Sequence, residues 1–471
     1  MFEANYTTNH ILVTEFTMKP STNISSSHGP SGRLPIELLS EIFLLCVDDS
    51  VDARNTIHIP LLLSNICSQW RAAAIANPKL WARLFIELSG NASAADIALV
   101  STWLARSAAC PLTVYVFWEE APFADTHAVL EKLMDHSERW RTMFFYLPYR
   151  AFKSFNRIRK RLPMLTDLSL GTDDDVVPGG LNMFEIAPSL RSLECVNFSP
   201  TVLRFPWSQL QDMPLLSGNI VDCLEVLARG TSLTKMSVVF VEGGPAVPGS
   251  PNTIYPYVCH KHLTCLTIMT PPWNESVELA ALFPHLTLPH LETLTICNVN
   301  STFGDAFTQF LARLPTLKTL HLRKTALPDD QLVEGLKHLS SLTSLIVLSA
   351  APPSRLVALN GADTQPELTV TRYLLEALTR NFFSNDAMDG MLLPRLQKLE
   401  LTVSATAARE LDTFVDMLQS RLRDDDGLAR LEHVRVRPSV HLNDEFVIRL
   451  VELRDLGLDV QVESTDAEAR I

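Results

Sequence analysis

The strongest constraint on this chain is a phrase that keeps returning: an apolar residue, two variable ones, an apolar, one variable, an apolar. It reads Trp140/Met143/Phe145, Leu165/Leu168/Leu170, Leu190/Leu193/Cys195, Leu210/Met213/Leu215 and Leu233/Met236/Val238. It continues through Leu263/Leu266/Ile268, Leu291/Leu294/Ile296, Leu317/Leu320/Leu322, Leu342/Leu345/Val347, Leu396/Leu399/Leu401 and Leu431/Val434/Val436, with a blurred copy near Leu368 and Val370. A period of about 20 to 35 residues belongs to stacked repeats, each too small to bury its apolar face alone. Alternation within the phrase sends its apolar residues to one side of a short strand and the intervening residues to the other. Helical spacing fills the gaps at Asp305–Leu314, Asp329–Leu339, Arg372–Phe383 and Leu411–Arg423. Pro163, Pro188, Pro289, Pro315 and Pro394 stand where a preceding helix must stop. The expected fold class is therefore α/β. Over residues 136–471 it is a solenoid with a parallel sheet on its concave face and helices outside.

A different pattern occupies residues 33–88. Leu34-Pro35-Ile36-Glu37-Leu38-Leu39-Ser40-Glu41-Ile42-Phe43 has its apolar residues at helical spacing behind a proline. Leu62, Leu63, Ile66, Cys67, Trp70, Ala73 and Ala74 repeat that spacing as one helix, and Asn77-Pro78 ends it. Leu80-Trp81 opens a third, shorter turn. Three short helices cannot hide this much apolar surface among themselves, so part of it is expected to dock on another protein.

These residues resemble the F-box in the form common in large fungal families. The opening Leu-Pro-x-Glu-Leu-Leu-x-x-Ile-Phe, the centre Ile66-Cys67-x-x-Trp70-Arg71 and the close Pro78-x-Leu80-Trp81 stand in order. The segment from Val47 to Ile59 departs from the family in being longer and acidic, with Asp48, Asp49 and Asp52. The later half resembles the degenerate leucine-rich repeats that follow the F-box in many such proteins, most closely from Leu291 to Leu348. The family's Asn or Cys after the strand is mostly replaced, by Asp173, Phe198, Pro271 and Val299, although Thr325 followed by Leu327 fits.

The resemblance implies a three-helix module that binds the adaptor Skp1 through Leu34, Pro35, Ile36, Leu38, Leu39, Ile42, Phe43, Leu62, Leu63 and Ile66. The same residues read without the family could be the core of a small helical domain. It further implies a substrate-recognition subunit of a Skp1-cullin-F-box ubiquitin ligase. A binding scaffold outside any ligase is the alternative, distinguished by whether a cullin co-purifies. Residues 1–32, rich in Ser, Thr, Asn and Gly, read as a disordered arm. A helix from Ala94 to Ala109 and a strand from Pro111 to Trp118 place a connecting N-terminal cap at residues 89–135.

On the strand face opposite the phrase, seven residues are candidates for holding a target protein: His321, Arg323, Lys398, Glu400, His433, Arg435 and Arg437. Their basic lean suits an acidic or phosphorylated segment. An ordinary solvated sheet face is the competing reading. Elsewhere the chain is acidic, with a formal charge of -13 and pI near 5.5, which argues against a nucleic-acid partner. No apolar stretch is long enough for a membrane span, and the N-terminus does not read as a secretory signal. Eight cysteines form no C-x-x-C pair and no disulfide framework, as expected of an intracellular protein in cytoplasm or nucleus. Cys259-His260-Lys261-His262-Leu263-Thr264-Cys265 carries zinc-type ligands, but no second ligand pair lies nearby and Leu263 begins a strand. No metal or cofactor is expected. Neither a phosphate-cradling loop, a nucleophile elbow nor a His-Glu-x-x-His helix is present, and the expectation is a protein that is not an enzyme.

Overall fold

The computed structural model describes residues 34–47, 59–88, 93–118, 126–173, 180–199, 203–241, 255–271, 279–299, 304–325, 327–348, 372–380, 391–403, 408–422, 428–438 and 444–462. The arm at 1–32, most of the acidic segment after Val47, the blurred repeat near Leu368 and the run Asp424-Asp425-Asp426 lie outside them. The chain forms two compact units, residues 1–190 with 202–206, and 191–201 with 207–471. Among the described residues the strands of the main parallel sheet number four in the first unit and ten in the second.

The first unit opens with α1 (Ile36–Leu45), α2 (Ile59–Ile66) and α3 (Ser68–Ala76). Pro35 is the cap rather than the first helical residue, its carbonyl accepting from Leu39 N–H at 3.1 Å. The single second helix expected from sequence is two. Cys67 is extended (φ -157°, ψ 172°), and its thiol accepts from Trp70 N–H at 3.5 Å, so a residue that fits the apolar period acts as an N-cap. Asn77 then ends α3 and caps the 3-10 turn Pro78–Trp81, with Lys79 N–H donating to its side chain at 3.3 Å.

Four parallel strands follow: β1 (Arg83–Glu87), β2 (Leu112–Phe117), β3 (Trp140–Tyr146) and β4 (Asp167–Gly171). β1 comes as a correction. It falls inside the segment assigned to the helical module, yet Trp81/Leu84/Ile86 is another copy of the repeating phrase, and Leu84 and Ile86 sit beside Val114 and Val116 in the sheet. The repeats thus begin at Trp81 and not near residue 136. The helix Ala94–Arg106 carries a capping box of Ser93 and Asp96, two orphan N–H groups satisfied reciprocally. Packed apolar side chains such as Trp140, Phe145, Phe152 and Phe155 fill the space under β3, all fully buried.

In the second unit the sheet strands are β5 (Ser192–Val196), β6 (Asp212–Gly218), β7 (Lys235–Phe240), β9 (Cys265–Met269), β11 (Thr293–Val299), β12 (Thr319–Thr325), β13 (Ser344–Leu348), β14 (Lys398–Val403), β15 (His433–Pro438) and β16 (Asp459–Val462). β8 (Val258–Cys259) and β10 (Leu286–Thr287) pair separately. Register aligns the middle phrase residue of successive strands: Leu266, Leu294, Leu320, Leu345, Leu399 and Val434 stand side by side, all buried. Each such leucine contributes about 1.5 to 3 kcal/mol by leaving water. Helices Gly304–Leu311, Asp329–Leu336, Arg372–Leu378, Ala408–Ser420 and Asp444–Asp455 pack on one another in chain order.

A hydroxyl marks the start of several strands. Thr234, Thr264 and Thr343 donate from Oγ1 to the carbonyls of Gln211, Thr234 and Lys318, each in the preceding repeat, at 3.0–3.1 Å. One repeat breaks the pattern. Pro214 has no N–H for the ladder, the register shifts between Met213 and Leu216, and Leu216 is buried where Leu215 was expected.

Candidate protein-docking surfaces

The ten residues expected to hold an adaptor divide by helical phase. Leu39, Phe43 and Leu63 are buried by their own chain, and the Phe43 ring lies 5.0 Å from that of Trp70. A partner cannot reach them; they are core because α1 and α2 both pack on α3. Leu34, Pro35, Ile36, Leu38, Ile42, Leu62 and Ile66 are exposed, Leu38 by 52%, Leu62 by 62% and Ile66 by 59%. Leu38, Ile42 and Leu45 fall at i, i+4 and i+7 of α1, and Leu62 and Ile66 at i and i+4 of α2, so each helix carries an apolar stripe facing outward. Leu45 at 81% and Leu61 belong to the same exposed set and were not singled out in the sequence, since their positions lie beside, and not within, the quoted apolar period. Gln69 donates to the Leu34 carbonyl at 3.3 Å and holds the start of α1 to α3.

At the other end of the chain the seven sheet-face candidates do come together on neighbouring strands. His321, Ile346, Glu400, Arg435 and Gln461 form one row across β12 to β16, and Lys398, His433 and Asp459 share the next. Arg323 sits in a third row beside Leu348, and Arg437 beside Thr402. Their charges are turned on one another. Glu400 is 4% exposed, with Arg437 Nε at 3.1 Å and Arg435 Nη1 at 3.9 Å from its carboxylate. This corrects its placement among exposed contact residues: a carboxylate between two guanidiniums is drawn into the sheet, where the pairing offsets its lost hydration. His433 Nδ1 lies 3.0 Å from Asp459, and Arg435 donates to Gln461 at 3.0 Å. The His321 imidazole is held below its usual range, first by burial and further by Arg323, Arg437 and Lys398, against the pull of Glu400. A neutral His321 adds no charge to the basic set.

The sheet face of the first unit differs. Phe85, Tyr115, Phe117, Phe144 and Tyr146 occupy the positions that alternate with the buried residues of β1 to β3, and all five are half-buried. The signal lies in Leu112–Phe117, where Tyr115 and Phe117 share the phase opposite the buried residues, and in Trp140–Tyr146, where aromatic residues appear on both phases of the alternation.

In the Cys259–Cys265 segment His260 is buried and both its ring nitrogens serve the backbone. Nδ1 accepts from the N–H groups of His262 at 3.3 Å and Leu263 at 3.1 Å, which leaves Nε2 to donate to the Gly230 carbonyl at 2.9 Å. A ring so engaged is a structural clamp between repeats. Burial holds its pKa below the ordinary value. Arg421 was invisible to sequence reasoning. It is fully buried, and its guanidinium donates to the carbonyls of Leu378, Leu392 and Leu393 at 2.7–3.1 Å, tying the end of its own helix to the last residue of Arg372–Leu378 and to the backbone just before β14. Burial, with Arg380 nearby, lowers its pKa to about 9.

Among the described residues no group of three or more His, Cys, Asp or Glu could hold a metal ion, and no helix is long and apolar enough to cross a membrane. No protein-family model and no curated protein matches the chain.

Proposed function

We propose that this protein is an F-box protein that serves as a substrate-recognition adaptor of a Skp1-cullin-F-box ubiquitin ligase, with the strand-helix repeats, read as leucine-rich repeats, holding the protein to be modified. The observation that carries this reading is the outward apolar stripe on α1 and α2, left over after Leu39, Phe43 and Leu63 have closed their own core. Exposed leucine and isoleucine at i, i+4 and i+7 is the form in which a helix meets an apolar groove. The mechanism is tethering: a target held on the repeats raises its effective concentration near a ubiquitin-charged enzyme, and the chemistry belongs to other subunits.

Co-expression with Skp1 and affinity purification tests it. Skp1 and a cullin are expected to co-elute with the native chain. Leu38→Ala, Ile42→Ala, Leu62→Ala and Ile66→Ala together are expected to weaken Skp1 binding by about a hundredfold or more while leaving the thermal transition in place, since truncating exposed anchors costs binding but not packing. Skp1 that fails to bind the native chain, or binds the fourfold variant equally, overturns the reading. Skp1 without cullin would leave a scaffold outside the ligase.

A further inference from the structure

The five rings on the first unit's sheet face form a continuous aromatic surface. Register sets Phe85, Tyr115 and Phe144 in one row, and Glu87, Phe117 and Tyr146 in the next. Ring centroids lie 5.2 Å apart for Phe85 and Phe117, 4.9 Å for Phe117 and Phe144, and 6.1 Å for Tyr115 and Phe144. The Tyr146 ring lies over Gly171 so closely that a Cβ there would stand 2.4 Å from its Cδ2, so β4 is open to the same aromatic layer only because it has glycine at that point.

The sheet itself does not require these rings. Ser237, Thr267, Thr295 and His321 hold the positions that correspond to Tyr115 and Phe144 in four later strands, and the ladder continues unbroken. A partly exposed aromatic surface confined to the first repeats is a docking feature by its chemistry, large in contact area and specific in geometry. Its rim is mostly acidic. Glu87 stands at the end of the Phe117 row, Asp173 accepts a hydrogen bond from the Tyr146 hydroxyl, and Asp167 heads β4, while Arg83 is a cation of the same face. Ring faces attract cations through their quadrupole, and the carboxylates add to that attraction.

We propose that the sheet face of β1 to β4 binds an extended protein segment that carries arginine or lysine beside an apolar residue. The apolar residue lies on the Phe117 and Phe144 rings, and the cation reaches over a ring toward Glu87 or Asp173. An acidic or phosphorylated segment is disfavoured there by three carboxylates. The inference rests on the reading of the repeats as the recognition half, but its measurement uses no adaptor, so loss of Skp1 binding and loss of this surface are separable results.

The test is to select random displayed peptides of about twelve residues on the full-length chain and measure the affinity of the recovered sequences. The expected peptides are net positive, and their binding weakens as salt is raised. Phe117→Ser with Phe144→Ser is expected to reduce affinity about tenfold or more, and Glu87→Gln with Asp173→Asn about threefold. Should the serine variant fail to fold, as judged by its circular dichroism, the second pair carries the test, because it removes no packed atom. Recovery of neutral proline-rich or acidic peptides, recovery of none, or equal binding by the folded variants overturns the proposal.

Discussion

The sheet face of β1 to β4 and that of β12 to β16 are built on the same kind of parallel backbone ladder and held together in opposite ways. In the first, side chains cohere through rings, with centroids 4.9–6.5 Å apart, and the charges stand at the margin. In the second, the charges are central: Glu400 is buried under Arg435 and Arg437, and His433 pairs with Asp459. The comparison teaches that a basic composition is not a basic surface. Arg435 and Arg437 looked available for a phosphate because they alternate with buried residues, but the strand before theirs supplies a carboxylate in register with Arg435. In the first unit the neighbours in register are instead other rings, Tyr115 beside Phe144 and Phe117 beside Tyr146.

Three substitutions or conditions sharpen this contrast, the largest effect first. Glu400→Ala leaves two guanidiniums facing each other and is expected to cost about 2 kcal/mol, less than a fully buried pair because Arg435 and Arg437 remain partly in water. Urea denaturation measures it, and a loss under about half a kcal/mol would mean that the ion cluster does not hold this end of the sheet. Gly171→Ala presses a methyl into the Tyr146 ring and is expected to cost about 1 kcal/mol and to shift the tyrosine fluorescence. A neutral result would show the ring to be loose on β4.

Acidification gives the smallest change and should act on both units. His127 in the first and His260 in the second have pKa values lowered chiefly by burial, so the folded state holds the neutral ring while the unfolded chain binds a proton near pH 6.5. Their contribution is complete above that pH and is lost as the pH falls below it. The thermal midpoint is expected to drop between pH 7.5 and 5.5, and His127→Gln or His260→Gln to reduce that slope.

The repeat strands were legible because their signal is apolar and local. Each of the eleven clear phrases from Trp140 to Val436 coincides with a strand, the blurred copy near Leu368 lying outside the described residues; the helix Asp329–Leu336 lies within the stretch expected of it, and Gly304–Leu311 begins one residue before its own. The misses have physical causes. Cys67 looks like a small apolar residue in a helix, and only its extended backbone and its bond from Trp70 N–H show that it caps one. At Leu215 the spacing was right and the register wrong, because the effect of Pro214 depends on both neighbouring strands. The docking candidates were half legible. Helical period marks which residues of α1 are apolar, but the choice between Leu38 outward and Leu39 inward is made by α3, which lies about thirty residues further along the chain. The pairing of Glu400 with Arg437 likewise needs strand register, which no single strand contains.

Trp81 closes the helical segment and opens the first strand's phrase at once. Its indole N–H is tied to the Ala74 carbonyl at 2.8 Å, its ring meets Trp103 edge-on at 4.7 Å, and Arg106 lies over it at 4.3 Å. The turn between α3 and β1 is therefore a rivet and not a tether. Any subunit that grips the outer stripe of α1 also sets the bearing of the aromatic plane on β1 to β3, and a cargo lying there would be presented at one fixed angle and reach.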